Sequence, residues 1–383
     1  MRNLVKNMPH YRTNEPKRYD AIIVGAGPAG CACSYELKSH NKSVLLLDKH
    51  SFPRHKPCAG GITKKALMEL PIDISHLIQH DSYEMVFRFD KNKKVELKNN
   101  LGSCAMVVRD DFDNYFFQET IKTGVHFKKI KKINSVKHTQ DKVILYADDA
   151  MYESSYLIGA DGANSTVRKL TTGLSYQNPV YAFEGLVPKT DKNKDIKTEF
   201  VFNGRGYAWI FPKKNHFNVG LGNLVGNENS DKPKKKDLFD FVSSRFESNK
   251  VENITGFPIG TEGLNYEVLI NRIFLVGDAA GLSESLLGEG IYNAIVSGKY
   301  AAKSIIKSDY EATHDAKYFY NSFLKRLTDE LKLYKKGSNI LYGYPKIGYL
   351  LMKLGMGKKF MDGYSEGKTL TEILRKKKLL PDY

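Results

Sequence analysis

Tyr19-Asp-Ala-Ile-Ile-Val-Gly-Ala-Gly-Pro-Ala-Gly30, running on to Val44-Leu-Leu-Leu-Asp48, decides the fold of this 383-residue chain. Ala21 to Val24 are apolar and largely β-branched, which reads as a strand buried on both faces. Gly25, Gly27 and Gly30 then give G-x-G-x-x-G at the start of a helix-compatible segment. Gly25 permits the tight turn, and Gly27, with Ala29 close by, lets backbone approach a pyrophosphate. Gly30 lets the helix pack closely on the strand, so that its N-terminus faces the phosphates. A second apolar run, Val44 to Leu47, ends at Asp48, 23 residues after Gly25. A carboxylate there hydrogen-bonds an adenosine ribose and disfavours a 2′-phosphate. A lone glycine triplet is weak; strand, glycines, helix and acid in register predict a bound dinucleotide. A glycine-rich structural turn would leave Asp48 unexplained.

Two further strand-to-loop elements decide which dinucleotide. Arg272-Ile-Phe-Leu-Val-Gly-Asp-Ala-Ala-Gly281 delivers Gly277 and Asp278 to a loop after a buried strand at residues 273–276. An acid at that end of a strand can accept hydrogen bonds from the ribitol of a flavin. Gly288-Glu-Gly-Ile291 then opens a helix from about Gly290, aiming backbone N–H groups where a flavin pyrimidine gains negative charge on reduction. Leu157-Ile-Gly-Ala-Asp-Gly-Ala-Asn-Ser-Thr-Val-Arg168 carries Asp161 and Arg168 in the same style. In order and spacing the three elements resemble the FAD-dependent oxidoreductases built like aromatic hydroxylases, over roughly residues 18–310. The resemblance implies tightly but non-covalently bound FAD, with Gly25, Gly27, Ala29, Gly30, Asp48, Asp161, Asp278, Gly288, Gly290 and Ile291 among its contacts.

Three stretches go beyond a generic flavoprotein: Pro53-Arg-His-Lys-Pro-Cys-Ala-Gly-Gly-Ile-Thr63, Gly206-Tyr-Ala-Trp-Ile-Phe-Pro212 and Val108-Arg-Asp-Asp-Phe-Asp113. Together they resemble the geranylgeranyl reductase family, which includes digeranylgeranylglycerophospholipid reductases. There the first is a loop beside the flavin, which implies flavin contacts for Cys58, Ala59 and Gly61. The second lines a lipid cavity, implying substrate contacts for Tyr207, Trp209, Phe211 and Pro212. The third supplies an arginine near the cofactor phosphates, here Arg109. One departure stands out: Ser285 and Leu287 replace the family's usual proline and threonine before Gly288-Glu-Gly-Ile291. Tyr207, Trp209 and Phe211 alternate, so they share one face of a strand and can form an aromatic wall. The same alternation also suits a plain sheet-to-core contact. Cys58 is the candidate catalytic residue, positioning substrate or delivering a proton; as a small residue in a glycine-rich loop it also has a packing explanation.

Composition bounds the rest. Hydrophobic content is 41% and no run of about 18 apolar residues occurs, so no transmembrane helix is expected. The first eighteen residues are polar and basic, without the apolar core of a secretory signal, and read as a flexible extension. Cys31, Cys33, Cys58 and Cys104 show neither metal spacing nor a disulfide framework, which points to a reducing cytoplasm; no metal is expected. Cys31 and Cys33 lie on the first helix, where packing explains both. Net charge is +16, carried mostly by lysine, and no nucleic-acid module is recognisable, so nucleic acid is excluded as a partner. The charge suits an anionic bilayer surface, and lysine-rich codon usage explains it equally well. Residues 340–356 are apolar with basic flanks, fitting either a buried helical subdomain or a segment lying on a membrane.

The expected architecture is α/β (α+β): a Rossmann-like FAD domain, an inserted antiparallel-sheet substrate domain and a C-terminal helical region. The FAD domain takes residues 19–75, 104–175 and 270–310, and the substrate sheet takes 76–103 and 176–269. Residues 311–383 form the helical region, and residues 1–18 the basic extension. Alternation in Glu84-Met-Val-Phe-Arg-Phe89 and Lys197-Thr-Glu-Phe-Val-Phe202 predicts antiparallel strands of that second sheet. The resemblance implies an FAD-dependent reductase that saturates geranylgeranyl-type double bonds of a polyprenyl lipid or prenyl diphosphate by hydride transfer from flavin N5. A monooxygenase of the same fold and a non-catalytic, membrane-peripheral flavoprotein remain as alternatives. Flavin halogenases are disfavoured, since their W-x-W-x-I-P signature needs two tryptophans and Trp209 is the only one. No second dinucleotide fingerprint is present, so NADPH and a ferredoxin-type redox protein both stay open as electron donor. The expected location is the cytoplasm, with the inner face of the membrane as a peripheral site.

Overall fold

The opening strand and glycine turn form the centre of the molecule, in a computed structural model that describes residues 18–175, 180–224, 232–246, 250–311 and 313–375. Strand β1 (Arg18–Val24), helix α1 (Pro28–Ser39) and β2 (Val44–Asp48) make the first unit. Arg18 therefore belongs to β1, and the rest of the expected extension lies outside the described residues. Next come β3 (Gly61–Thr63), α2 (Lys64–Glu69), β4 (His80–Asp81), β5 (Glu84–Arg88), β6 (Lys94–Lys98), β7 (Cys104–Met106) and α3 (Arg109–Lys122). β8 (His126–Lys129), β9 (Ile133–His138), β10 (Val143–Ala147), β11 (Ala150–Gly159) and α4 (Thr166–Thr172) follow. β12 (Val180–Pro188), β13 (Thr198–Phe202), β14 (Gly206–Pro212), β15 (His216–Asn223), α5 (Lys235–Phe246) and β16 (Glu252–Ile259) complete the central stretch. The last described elements are β17 (Ile273–Leu275), α6 (Ile291–Tyr310), α7 (Ala316–Gly343), α8 (Pro345–Leu351), α9 (Gly357–Ser365) and α10 (Leu370–Leu374).

One sheet runs β8-β2-β1-β11-β10-β9, with β17 also beside β11. β1 pairs in parallel with β2 and β11, and β11 in parallel with β17, so the loops after β1, β11 and β17 all emerge at one edge. Ile22, Ile23, Leu46 and Leu47 are fully buried there. Burying each such side chain contributes about 1.5–3 kcal/mol, which holds those loops to a rigid base. α1 and α6 cross so closely that a Cβ on Gly298 would lie 2.3 Å from the Ala29 carbonyl oxygen. Cys31 and Cys33 are buried in that packing.

A second sheet runs β16-β12-β15-β14-β13-β5-β6, and β3-β7-β4 form a small third one. In the second sheet the pairing corrects one expectation. β5 and β13 are neighbours but parallel, with Met85 opposite Thr198 and Phe87 opposite Phe200. The chain between them passes through the first sheet, and a long crossover of that kind permits parallel pairing where a hairpin would not. The two faces are sharply divided. Ala208, Ile210, Val219 and Leu221 pack against Leu238, Val242 and Phe246 of α5. The opposite face, with Phe200, Phe202, Tyr207, Trp209 and Phe211, meets Tyr342 and Met361 from α7 and α9. α7 is anchored to the first sheet by Tyr320, whose hydroxyl donates to the Leu275 carbonyl at 2.8 Å. Between α8 and α9 the helix kinks at Leu354 and Gly355, the latter at φ +106°. Among the described residues, no helix is long and apolar enough to cross a membrane.

Candidate active site

One cavity of about 880 Å³ runs from the loops at the edge of the first sheet to the aromatic face of the second. At its polar end, Gly25 takes φ +106°, and a Cβ there would lie 2.3 Å from the Ala160 carbonyl oxygen, so only glycine fits this turn. Gly27 is the N-cap of α1 with no side-chain cap, and Gly27 and Ala29 line the cavity. Gly30 does not; a Cβ there would fall 1.8 Å from the Gly25 carbonyl oxygen, so its work is packing. Asp48 faces the cavity with its carboxylate already held, Oδ2 accepting from the Ala26 N–H at 2.7 Å and Oδ1 from the His50 N–H at 2.8 Å.

Two arginines converge beside the α1 N-terminus. Arg109 donates through Nε and Nη2 to Asp113 at 2.8 and 2.9 Å, and Arg54 Nη2 meets the same carboxylate at 3.0 Å. Two guanidiniums against one buried carboxylate leave a net positive charge at the cavity wall. The sequence reading singled out Arg109 and missed Arg54, although Arg54 stands inside the quoted 53–63 loop. A Cβ on Gly27 would come within 3.4 Å of Arg54 Nη2, so this guanidinium sits directly at the helix N-terminus.

Asp161 lines the cavity but spends its carboxylate on α4, accepting from Ser165 Oγ at 2.5 Å and the Thr166 and Val167 N–H groups at 2.7 and 3.1 Å. Burial raises its carboxyl above the ordinary range, and those donors oppose the rise. Arg168 then ties two loops together, Nη1 donating to the Ala279 carbonyl and Nη2 to the Ala163 carbonyl, both at 2.7 Å. Asp278 Oδ1 accepts from Ser283 Oγ at 2.6 Å at the cavity wall.

Gly288, Gly290 and Ile291 line the cavity at the start of the 20-residue α6, whose N-cap Gly290 also lacks a side-chain cap. The preceding loop is wrapped around Glu284, which accepts the N–H groups of Leu286, Leu287 and Glu289 at 2.6–2.8 Å. Tyr207 and Tyr342 donate their hydroxyls to the Leu287 and Leu286 carbonyls. The departures at Ser285 and Leu287 thus sit on a backbone that other residues hold. Ser285 faces Ser338 of α7, and Leu287 adds an apolar side chain to the cavity.

The 58–61 loop joins the polar and apolar ends. Cys58 is half-buried at the cavity, and its N–H donates to Glu184 Oε1 at 2.9 Å. Lys213 Nζ donates to the Ala59 carbonyl at 2.8 Å and to that of Gly60 at 3.3 Å. Glu184 and Lys213 are both buried, and burial pushes the Lys213 ammonium down to about 8 and the Glu184 carboxyl up. Ala59 and Gly61 line the cavity, and a Cβ on Gly61 would meet the Phe211 ring at 2.9 Å. Nothing in the local sequence marked Glu184; Lys213 immediately follows the Gly206–Pro212 stretch.

Tyr207, Trp209 and Phe211 share the cavity face of β14, as alternation requires, and Phe87, Phe200 and Phe202 extend the wall across β5 and β13. Phe87 and Phe200 stack at 5.2 Å between centroids, and Phe200 lies 5.4 Å from both Tyr207 and Phe211. The indole packs against Gly220, where a Cβ would lie 2.1 Å from the ring, and its Nε1 donates to Asn218 Oδ1 at 2.8 Å. Pro212 corrects the fourth expected contact. It does not line the cavity, because period-two alternation turns it to the other face with Ala208 and Ile210. Leu341, Met352, Met356 and Phe360 cover the wall from the helical side.

The FAD binding domain family matches residues 18–308. Digeranylgeranylglycerophospholipid reductase 2 of Methanosphaera stadtmanae is 30% identical over 345 residues, covering 83% of this chain and 85% of its own length. This chain belongs to the geranylgeranyl reductase family of FAD-dependent oxidoreductases. The Rhodobacter capsulatus geranylgeranyl diphosphate reductase is a 28% identical relative of this reductase-family enzyme, with 75% of each chain covered. Among solved structures, a geranylgeranyl bacteriochlorophyll reductase-like protein from Thermoplasma acidophilum shares the fold at a TM-score of 0.76 and 20% identity, covering 93% and 95% of the two chains. The flavin-dependent brominase Bmp2 shares it at 0.71 and 16%, covering 92% and 94%.

FAD is the family's cofactor, and the residues present fit it. Two long helices, α1 and α6, open on the cavity at glycine N-caps without side-chain caps, which suits a diphosphate at one and a ring carrying negative charge at the other. Arg54 and Arg109 add cationic charge at the first. Among the described residues no cluster of His, Cys, Asp and Glu could hold a metal ion.

Proposed function

We propose that this family member saturates isoprenoid double bonds of a geranylgeranyl-type lipid or prenyl diphosphate. The observation that carries the reading is one uninterrupted cavity with FAD-type glycine turns at one end and a six-ring aromatic wall at the other. An apolar chain several isoprene units long needs such a wall, and hydride transfer needs the alkene held against the cofactor where the two ends meet.

FAD bound here and reduced by its electron donor would supply hydride at this junction. Around it, Gly27, Arg54 and Arg109 would bind the pyrophosphate, Asp48 the adenosine ribose and Asp278 the ribitol. Gly288, Gly290 and Ile291 would border the flavin ring. Trp209 and Phe211 hold the prenyl chain so that one alkene faces the junction. Cys58 Sγ holds a proton there; the thiol gives it to the alkene carbon that did not receive hydride, and water restores it. Glu184 and Lys213 keep the Cys58 loop in place, because each buried charge is engaged with that loop's backbone. The cofactor lobe would be residues 19–75, 104–175 and 270–310, the substrate sheet 76–103 and 176–269, and the helical cover the residues from 311 onward.

The substrate would arrive from an anionic lipid surface. Ile340, Tyr344, Ile347, Leu350, Leu351 and Leu354 are all exposed on neighbouring turns of α7, α8 and the kink, and Leu354 is 73% exposed. Ile340 and Leu351 also line the cavity, which puts its mouth within this patch. Exposed Lys346, Lys353, Lys358 and Lys359 surround it, as an interfacial segment requires. Co-sedimentation with vesicles containing an anionic lipid, lost in Leu354→Glu, is the expected result; equal recovery of both proteins would remove the membrane from the account. NADPH and a ferredoxin-type protein both remain candidate donors.

Mass spectrometry tests the activity. Reduced enzyme incubated without oxygen with a geranylgeranyl lipid should yield products carrying two added hydrogens per saturated bond. A product formed only with oxygen and carrying an added oxygen atom would make the protein a monooxygenase.

A further inference from the structure

Behind the Gly288–Gly290 loop lies a buried cation that the reaction above does not use. Lys65, the second residue of α2, is 4% exposed. Its Nζ meets Glu289 Oε2 at 2.7 Å and the Tyr334 hydroxyl at 3.2 Å, and lies 4.3 Å from the centre of the Tyr292 ring. Thr63 donates its hydroxyl to the other Glu289 oxygen, and the hydroxyls of Tyr334 and Tyr364 are 3.1 Å apart. Glu289 itself lines the cavity, between the two glycines that open α6. Six elements therefore meet around one ammonium: α2, β3, the loop before α6, α6 itself, α7 and α9.

Burial lowers the pKa of Lys65, and Glu289 more than offsets this, raising it above the ordinary lysine range. Such a pair is stable only while both partners remain. Removing one leaves an uncompensated charge in a medium that screens it poorly. Glu284 stands in the same loop with its carboxyl pushed up to about 7, first by burial, so a second full negative charge there is already disfavoured.

We propose that Lys65 is a positioning residue that balances the charge of Glu289 and thereby sets the reduction potential of the flavin. The inference rests on the reading that the flavin ring borders the Gly288–Gly290 loop. Reduction adds negative charge to the flavin on that side. A lone Glu289 carboxylate would oppose it, and a lone Lys65 ammonium would favour it; the intact pair does neither strongly. The same ammonium ties the loop to α7 and α9, so the helical cover and the flavin environment share one support.

The test is the midpoint potential of the FAD-loaded protein, measured by anaerobic dye equilibration for the parent, Lys65→Met, Glu289→Gln and the double variant. The expected result is a lower potential in Lys65→Met, a higher one in Glu289→Gln and a return toward the parent in the double variant. A merely structural role would not give shifts of opposite sign that cancel. If Lys65→Met does not fold, the rise in Glu289→Gln and its cancellation in the double variant carry the test, since neither leaves a buried anion without a partner. Shifts of one sign, or none, in variants that bind FAD would overturn the proposal. FAD affinity of Asp278→Ala separates the two readings. If that affinity falls while the potentials do not diverge, charge balance by Lys65 is wrong and the flavin placement stands. If that affinity is unchanged, the placement fails and the proposal fails with it.

Discussion

At the polar end of the cavity, Gly25, Asp48 and Asp278 each stand within a few residues of a buried parallel strand, and the backbone does most of the shaping. At the apolar end, the wall collects Phe87, Phe200, Phe202, Tyr207, Trp209 and Phe211 from three strands, then closes under α7, α8 and α9. The first end is built from local geometry that admits one residue type at key points. The second is a sum of many apolar contacts, each replaceable at graded cost. Substitutions at the polar end should therefore act in steps, and those at the apolar end by degrees.

Gly25→Val should have the largest effect. It places a branched side chain at φ +106° with its Cβ 2.3 Å from the Ala160 carbonyl oxygen, so the turn and the start of α1 must shift. Bound FAD per protein, read by absorbance, should fall to near zero. Gly162→Ala, also at positive φ but with nothing within 4 Å of its Cβ, should keep FAD at a cost of about 1 kcal/mol. Similar losses in both would mean that close approach at Gly25 is not what shapes the polar end.

Trp209→Ala comes next. Misplacing a reacting group by about 1 Å can cost on the order of 10²-fold in rate. Reoxidation of the reduced protein by a long prenyl substrate should slow by about that factor while the flavin spectrum stays native. The loss should be greater for long chains than for short ones; an unchanged ratio would make β14 ordinary core.

Asp278→Ala should weaken FAD by about 1.5–3 kcal/mol, the worth of a hydrogen bond to a charged group. Titration of the apoprotein with FAD, followed by fluorescence quenching, reads this directly. Affinity equal to the parent's would remove the ribitol contact.

What could be read in advance follows the same division. β1, the Gly25 turn, Asp48 and the Asp278 loop are contiguous patterns, so period and spacing sufficed. Tyr207, Trp209 and Phe211 were visible because alternation within one strand is local. Phe87, Phe200 and Phe202 carried the same alternation in two quoted stretches, but the parallel pairing of β5 with β13 depends on a long crossover, which no local pattern encodes. Glu184 and Lys213 reach the Cys58 loop across 126 and 154 residues of chain, and the Lys65–Glu289 pair spans a still wider gulf. Buried charges of this kind look in the sequence like solvated ones. Asp161 shows a subtler difficulty: its position was legible, but its carboxylate serves the first turn of α4.

Lys213 gives the smallest expected effect. Its folded value of about 8 lies below the ~10.4 of an unfolded lysine, so between those values the unfolded chain binds more protons. Stability should therefore rise with pH across that window, and the contribution is lost as pH falls through about 8. Lys213→Met should flatten this slope in denaturant titrations at successive pH values; an unchanged slope would mean that the buried ammonium is not what titrates.

The proposed reduction requires that one cavity bring a flavin and a prenyl alkene together. Anaerobic stopped-flow reoxidation of the reduced, FAD-loaded protein by a geranylgeranyl lipid measures it most directly. The oxidised flavin spectrum should return, without oxygen, at a rate that depends on lipid concentration. Flavin that stays reduced at every lipid concentration, and reoxidises only when oxygen is admitted, would contradict it.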